Sequence, residues 1–273
     1  MPLATDMCIE NQSMKVSTIT VCRNSFTSIV STMESIFCQT FPLVERIVID
    51  GASTDGTANY LESQRERINV LVSEPDGGIY DAMNKGIRAS SGDYLIFMNA
   101  GDRFATDDVI ERVMNHQNVI SRRPKLISGR VQLEYSAKLT NLFRPSRPGK
   151  EGEGLPHQGT FIEGDLQRNH LFDTRFGFVS DYELWRRLKH KGLFDVLYLE
   201  EVIAVFSLGG RSNSIKSDPQ RYLERAYVDY QYSGRFRSQD WMRFLLLILA
   251  RKFMHTVLGE RLFFSALRFL KTV

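Results

Sequence analysis

Acidic turn residues follow apolar, β-rich runs three times between residues 47 and 102. Asp50 follows the run 47–49, Asp76 follows 68–72, and Asn99-Ala100-Gly101-Asp102 follows 94–98. A buried strand ending in acidic turn residues presents them at one edge of a sheet. In open α/β sheets that carboxyl edge is where ligands bind. Clustered carboxylates repel a bare phosphate but suit a divalent cation and the diphosphate it holds. The segment 45–104 therefore suggests a nucleotide-sugar site. It is not a Walker loop, which needs Lys after Gly, and no dinucleotide-binding glycine fingerprint is present.

The elements that position these residues follow from periodicity. Strands are expected at 16–21, 44–49, 68–72 and 94–98. Between them, helices are expected over 25–40, from a cap at Ser53 or Asp55 to about 67, and over 79–90. Strands alternating with helices imply a mostly parallel sheet with right-handed crossovers. Further on, the pattern predicts a helix at 107–118 and a strand at 125–134. A loop is expected at 139–153 and a strand at 158–162. A helix at 181–191, a strand at 196–206 and helices at 218–232 and over most of 241–270 complete the reading.

The chain has 273 residues, 42% of them hydrophobic and 25% charged, with a formal net charge of +3. That composition fits one large α/β domain with a smaller appendage. The charge is too small, and basic runs too few, for a nucleic-acid partner. Cys8, Cys22 and Cys38 are odd in number and lack metal-type spacing, which reads as reduced thiols in a cytoplasmic protein, with Cys22 and Cys38 as small core residues. Residues 1–13 are polar, with no apolar core of a secretory leader, and read as a flexible tail or as the product of an upstream start.

Several ordered motifs between about residues 15 and 213 resemble those of family 2 glycosyltransferases with the GT-A fold. They are Thr20-Val21-Cys22-Arg23-Asn24, Asp50-Gly51-Ala52-Ser53-Thr54-Asp55-Gly56-Thr57, Asn99-Ala100-Gly101-Asp102 and Ser180-Asp181. The stretch 73–87 is similar to the WcaE-like branch of colanic-acid and related exopolysaccharide transferases. The resemblance implies a Rossmann-like, mostly parallel central sheet flanked by helices, spanning 14–213, with a C-terminal helical extension over 214–273. It also implies donor contacts from Thr20, Asn24, Asp50, Asp76, Asn84, Asn99 and Arg211. Asn84 is expected to act by holding the site's backbone. Asp102 is implied as the ligand of Mg²⁺ or Mn²⁺, with Asn99 where the usual first acid stands. Gly51 stands where many members carry a second acid. His157 and Gln158 are implied near a sugar, assigned here to the acceptor. Asp181 matches the base of an inverting transferase, with Glu183 as the fallback. Each has a plainer reading as well. Asn24, Asp55 and Asp181 are also good helix caps, and a lone His is more often structural than catalytic.

The segment 241–273 is apolar and basic, and its run 244–250 is far short of the roughly 20 residues that span a bilayer. It reads as two amphipathic helices lying on an anionic membrane surface, or packed on the catalytic domain or a second subunit. The expected partners are thus a nucleoside diphosphate-sugar and a lipid-linked glycan acceptor. Two other readings are a non-catalytic nucleotide-sugar-binding scaffold and a nucleotidyltransferase. Asp102 and Asp181 together disfavour the first. The second lacks a Gly- and Arg-rich triphosphate loop.

Overall fold

The computed structural model describes residues 14–135, 138–143, 154–207 and 218–234. The chain divides into two compact units, Met1–Ser207 and Leu208–Val273. In the first unit the strands β1 (Val16–Cys22), β2 (Val44–Asp50), β3 (Val70–Ser73) and β4 (Tyr94–Phe97) run parallel. The helices α1 (Phe26–Phe37), α2 (Thr57–Ser63) and α3 (Ile79–Ala89) connect them. The sheet continues through β8 (Thr160–Glu163), β6 (Leu126–Tyr135), β9 (Val196–Ser207) and β5 (Asp102–Phe104). The full order is β3-β2-β1-β4-β8-β6-β9-β5, with β7 (Lys138–Phe143) on β6.

Register decides which loops meet. Cys22 pairs with Asp50, and Asp50 with Ser73, so three strands end level with one another. Beyond β4, Met98 N–H donates to Ile19 and Ala100 N–H to Val21, which carries Asn99–Asp102 to the same edge. The strand β8 is antiparallel to β4. Its reversal brings the residues that precede it, His157–Gly159, to that edge as well.

Both faces of the sheet are covered, as parallel strands require. On one face α1 buries Ile29, Met33 and Ile36 at helical spacing, beside the short helices α4 (Val109–Met114) and α5 (Gln117–Arg122). On the other, α3 buries Met83 and Ile87, and α7 (Ser180–His190) buries Leu184, Trp185 and Leu188. The helix α6 (Gly164–Asn169) adds Leu166. Each such side chain contributes roughly 1.5–3 kcal/mol when fully buried. Helix α3 lies so near β1 that a Cβ at Gly86 would collide with the Ile19 side chain.

Four expectations change. The helix at 107–118 is two helices, because His116 takes an extended conformation and its Nδ1 accepts from Asn118 N–H to start α5. The expected loop at 139–153 begins as strand β7, paired along β6, and residues 144–153 lie outside the described residues. The segments β5 and α6, of 3 and 6 residues, are too short to leave a periodic trace. Cys38 is exposed rather than in the core. The second unit contains α8 (Asp218–Ser233), and 241–273 lies outside the described residues. Among the described residues no helix is long and apolar enough to cross a membrane.

At the opposite end of the sheet Glu45 is buried and takes hydrogen bonds from Lys15 Nζ at 2.6 Å, Ser17 Oγ at 2.5 Å and Ser91 N–H at 2.8 Å. Burial pushes its carboxyl up, but these donors outweigh burial and bring it down to about 2 from 4.5. A depressed folded-state pKa gives stability that is full above 4.5 and lost as pH falls towards 2. We expect Glu45→Gln to cost up to about 3 kcal/mol at pH 7. Urea denaturation at pH 7 and pH 3 would show the gap between the two proteins narrowing at the lower pH.

Candidate active site

On the β1–β2–β3 side, Asp50 is fully buried and its oxygens already have partners. Oδ1 accepts from Ser53 Oγ and, at 3.6 Å, from Cys22 Sγ. Oδ2 accepts from Ser53 N–H at 3.0 Å and Ser73 Oγ at 2.6 Å. This carboxylate knits three strand ends together, and burial beside it pushes the Cys22 thiol well up. Asn24, with φ of 48°, is exposed and bridges two turns. Its N–H donates to Ser53 Oγ at 2.7 Å, and its Oδ1 accepts from Thr54 N–H at 2.9 Å. Asp55 caps two helices, accepting from Phe26 N–H and Thr57 N–H, each at 3.0 Å. Thr20 lies two residues below the edge, level with Val48, and its hydroxyl is buried without a hydrogen-bond partner.

Asp76 is half-buried, and its Oδ1 accepts from Gly78 N–H at 2.8 Å. A Cβ at Gly51 would collide with Asp76 Oδ2. The volume that a side chain at 51 would occupy is therefore filled by the carboxylate of Asp76. Lys85 pairs with Glu74 at 2.7 Å and donates to Pro75 O at 2.9 Å, so it braces this turn.

Asn84 faces inward from α3. Its Nδ2 donates to Phe172 O and its Oδ1 accepts from Phe172 N–H, each at 2.9 Å. With 3% exposure and both ends of its amide engaged, Asn84 does not face a ligand; it fixes a backbone. The Phe172 ring packs 5.3 Å from Tyr80 and 5.3 Å from Phe97, so Asn84 indirectly seats Tyr80.

Tyr80 leads to the centre of the site. Its hydroxyl donates to Asp181 Oδ1 at 3.1 Å, which also accepts from Tyr182 N–H at 2.8 Å. Asp181 Oδ2 lies 3.2 Å from His157 Nδ1. His157 Nε2 lies 3.5 Å from Asn99 Nδ2. Gln158, also buried, hydrogen-bonds the Asp102 carboxyl. Elements distant in sequence thus meet here: α3, α7, the turn before β8 and the turn after β4. Glu183 is buried and paired with Arg187 at 3.1 Å. Arg211 lies outside the described residues. Tyr80 was missed by sequence reasoning; it sits inside a quoted motif, but nothing in its spacing tells a site tyrosine from a core one.

The electrostatics separate the two carboxylates. Burial pushes Asp102 up to about 7, against the opposing charge of His157 and the hydrogen bonds from the Asn99 backbone and Gln158. Burial also pushes Asp181 up, but the bond and charge of His157, with Tyr182 N–H and Tyr80 O–H, outweigh it and hold Asp181 low. Burial opposes charge on His157, yet Asp181 and Asp102 raise it overall. Among the described residues no group of three or more His, Cys, Asp or Glu side chains could hold a metal alone. Asn99 Oδ1 is nevertheless buried without a hydrogen-bond partner, close in sequence to the desolvated Asp102 carboxyl. One oxygen without a donor, three residues from a buried carboxyl, fits a hard cation that takes its remaining ligands from a diphosphate.

This parallel sheet, with functional turns along one edge and an antiparallel insertion carrying the second half of the site, is the GT-A architecture. It resembles a Pyrobaculum calidifontis mannosyltransferase solved with GDP-Man and Mn²⁺, with TM-score 0.62, 17% identity, and 90% of this chain and 72% of that one covered. It also resembles Staphylococcus aureus TarS 1-349 solved with UDP-GlcNAc, with TM-score 0.59, 14% identity, and 89% and 73% covered. Residues 17–157 match glycosyl transferase family 2. An uncharacterized glycosyltransferase of Mycobacterium tuberculosis (strain ATCC 25618 / H37Rv) is 41% identical over 249 residues, covering 84% of this chain and 90% of that protein. The chain belongs to glycosyl transferase family 2, and it is a glycosyltransferase.

Replacing Asn84 by Ala leaves Phe172 N–H and O unpaired in the core. We expect a loss of about 2–3 kcal/mol, read by urea denaturation, together with a shift in the near-ultraviolet signal of Tyr80.

Proposed function

We propose that this enzyme is an inverting transferase that moves a sugar from a nucleoside diphosphate-sugar to a hydroxyl of a lipid-linked precursor of a surface glycan, of the exopolysaccharide type. The observation that carries this reading is the pair of carboxylates in one constellation. Asp181, at the first turn of α7, is held by Tyr80 and His157, while Asp102 is buried at the end of the β4 turn, where desolvation pushes its carboxyl up. In this reading Asp181 takes the proton from the acceptor hydroxyl. The hydroxyl oxygen bonds to the anomeric carbon as the bond from that carbon to the diphosphate breaks. The nucleoside diphosphate leaves with the electron pair.

Asp102 and Asn99 Oδ1 are the residues suited to holding Mg²⁺ or Mn²⁺, which when bound would neutralise charge on the departing diphosphate. Asp76 and the turns braced by Asp50 and Asn24 bound the nucleoside side. The donors named for TarS and for the mannosyltransferase, UDP-GlcNAc and GDP-Man, support a nucleotide-sugar donor. The basic, apolar segment 241–273 supports a place on the anionic inner face of the cytoplasmic membrane, where a lipid-linked acceptor would be met.

Two tests follow. Thermal shift with UDP-, GDP- and dTDP-sugars and Mn²⁺ should give stabilisation that needs both the metal and one base, and Asp102→Ala should remove the metal-dependent part. With the donor so identified, Asp181→Asn should lower transfer roughly 10²–10⁴-fold while the donor-induced shift persists. Full turnover by that variant sinks the assignment of the base.

A further inference from the structure

Away from the site, two arginines share one aromatic ring with little acid to match them. Arg46 lies on β2 between Val44 and Val48, whose side chains enter the core on the α1 side, and strand alternation points it the same way. There it meets Phe37, the last residue of α1, with its guanidinium carbon 5.9 Å from the ring centre. Arg67, in the short turn of helix Arg65–Arg67 before β3, stacks on the same ring at 3.8 Å. Each cation gains from the ring face. The two charges nevertheless repel, and burial together with Arg67 holds the Arg46 guanidinium below the usual arginine range.

The matching anions are few. Among the described residues no carboxylate pairs with Arg46, and its Nε is buried without an acceptor. Arg67 has Gln64 Oε1 at 3.4 Å and Glu34 Oε1 at 3.7 Å, the latter on a side chain 52% exposed. Tyr60 lies near enough to feel the charges of Glu34 and Arg67, and its hydroxyl is buried without a hydrogen-bond partner. Partly buried charge is ordinarily paired. One exposed acid does not pair two guanidiniums, and the Arg67 side chain, 47% exposed, leaves the cluster open to solvent.

We propose that Arg46 and Arg67, on the ledge made by Phe37, form a binding site for a phosphate group, separate from the donor site. A carboxylate has two oxygens and satisfies one guanidinium fork. A phosphate has oxygens enough for two forks at once. The separation follows from register. Arg46 pairs with Thr18 and Asp50 with Cys22, so the cluster sits four residues, about 13 Å, down β2 from the edge that carries the donor turns. The phosphate belongs to a lipid headgroup or to a soluble ion, which present the same oxygens.

The full chain would be titrated by calorimetry with inorganic phosphate, and sedimented with vesicles of phosphatidylglycerol and of phosphatidylcholine. EDTA is present throughout, so that no metal holds phosphate at the donor site. Arg46→Met and Arg67→Met remove each charge and keep much of the stem. The wild-type chain should bind phosphate, or phosphatidylglycerol in preference to phosphatidylcholine. Each variant should bind the same probe at least about tenfold more weakly, and Asp102→Ala should bind it as the wild type does. Binding of inorganic phosphate identifies a soluble ion as sufficient. Binding confined to phosphatidylglycerol vesicles identifies the headgroup. Urea denaturation checks that both arginine variants fold, and Arg67→Met, on an exposed side chain, carries the test if Arg46→Met does not. Binding of neither probe, or binding that the arginine variants leave unchanged, overturns the proposal. So does phosphate binding that Asp102→Ala abolishes.

Discussion

The β1–β2–β3 edge of this enzyme depends on one buried carboxylate. Asp50 has no exposed surface, and a carboxylate in that position is tolerated only when hydrogen bonds replace its lost water. The replacements come from Ser53 within its own turn, from Ser73 at the end of β3 and from Cys22 at the end of β1. Satisfying Asp50 therefore fixes where three loops leave the sheet. Ser53 passes the constraint to Asn24, and Asn24 passes it to Thr54. The turn bearing Asp76 is seated by the same strand ends. The exposed surface of these turns is in this sense the outer layer of a hydrogen-bond cluster whose centre is inaccessible.

The part of the site around Asp181 has a different basis. It is built by packing, with Phe172 clamped to Asn84 and packed at a 43° tilt against Tyr80, and by one antiparallel strand that reverses the chain beside β4. That reversal is what lets a turn 58 residues beyond Asn99 lie against it. Two structural devices, a polar cluster and an aromatic clamp, thus converge on a network only a few side chains wide. Carboxylates inside it behave oppositely because their partners differ: Asp181 collects donors, and Asp102 has burial with few of them.

The alternation of strands and helices up to residue 98 was legible because each element is long enough to show its period and each turn carries Asp, Asn or Gly. The short pieces β5 and α6 were not, since they exist through pairing and packing with distant segments. Individual site residues were legible in type more than in use. Asn84 was expected to hold backbone, as it does, whereas Asp50 announces itself as a polar residue within a motif and only its neighbours reveal that it faces inward. Asp181 stood out as a carboxylate at a helix start. Its partners Tyr80 and His157, 101 and 24 residues away, cannot be matched to it from a single sequence.

Gly51 and Asp76 share one volume, since the first Cβ at position 51 and Oδ2 at position 76 would claim the same space. A side chain at 51 can enter only when the Asp76 carboxylate rotates away, so the two positions compete for one place beside the ends of β2 and β3. In the conformation seen here that place holds one carboxylate at a time, and it is the one that arrives from the β3 turn.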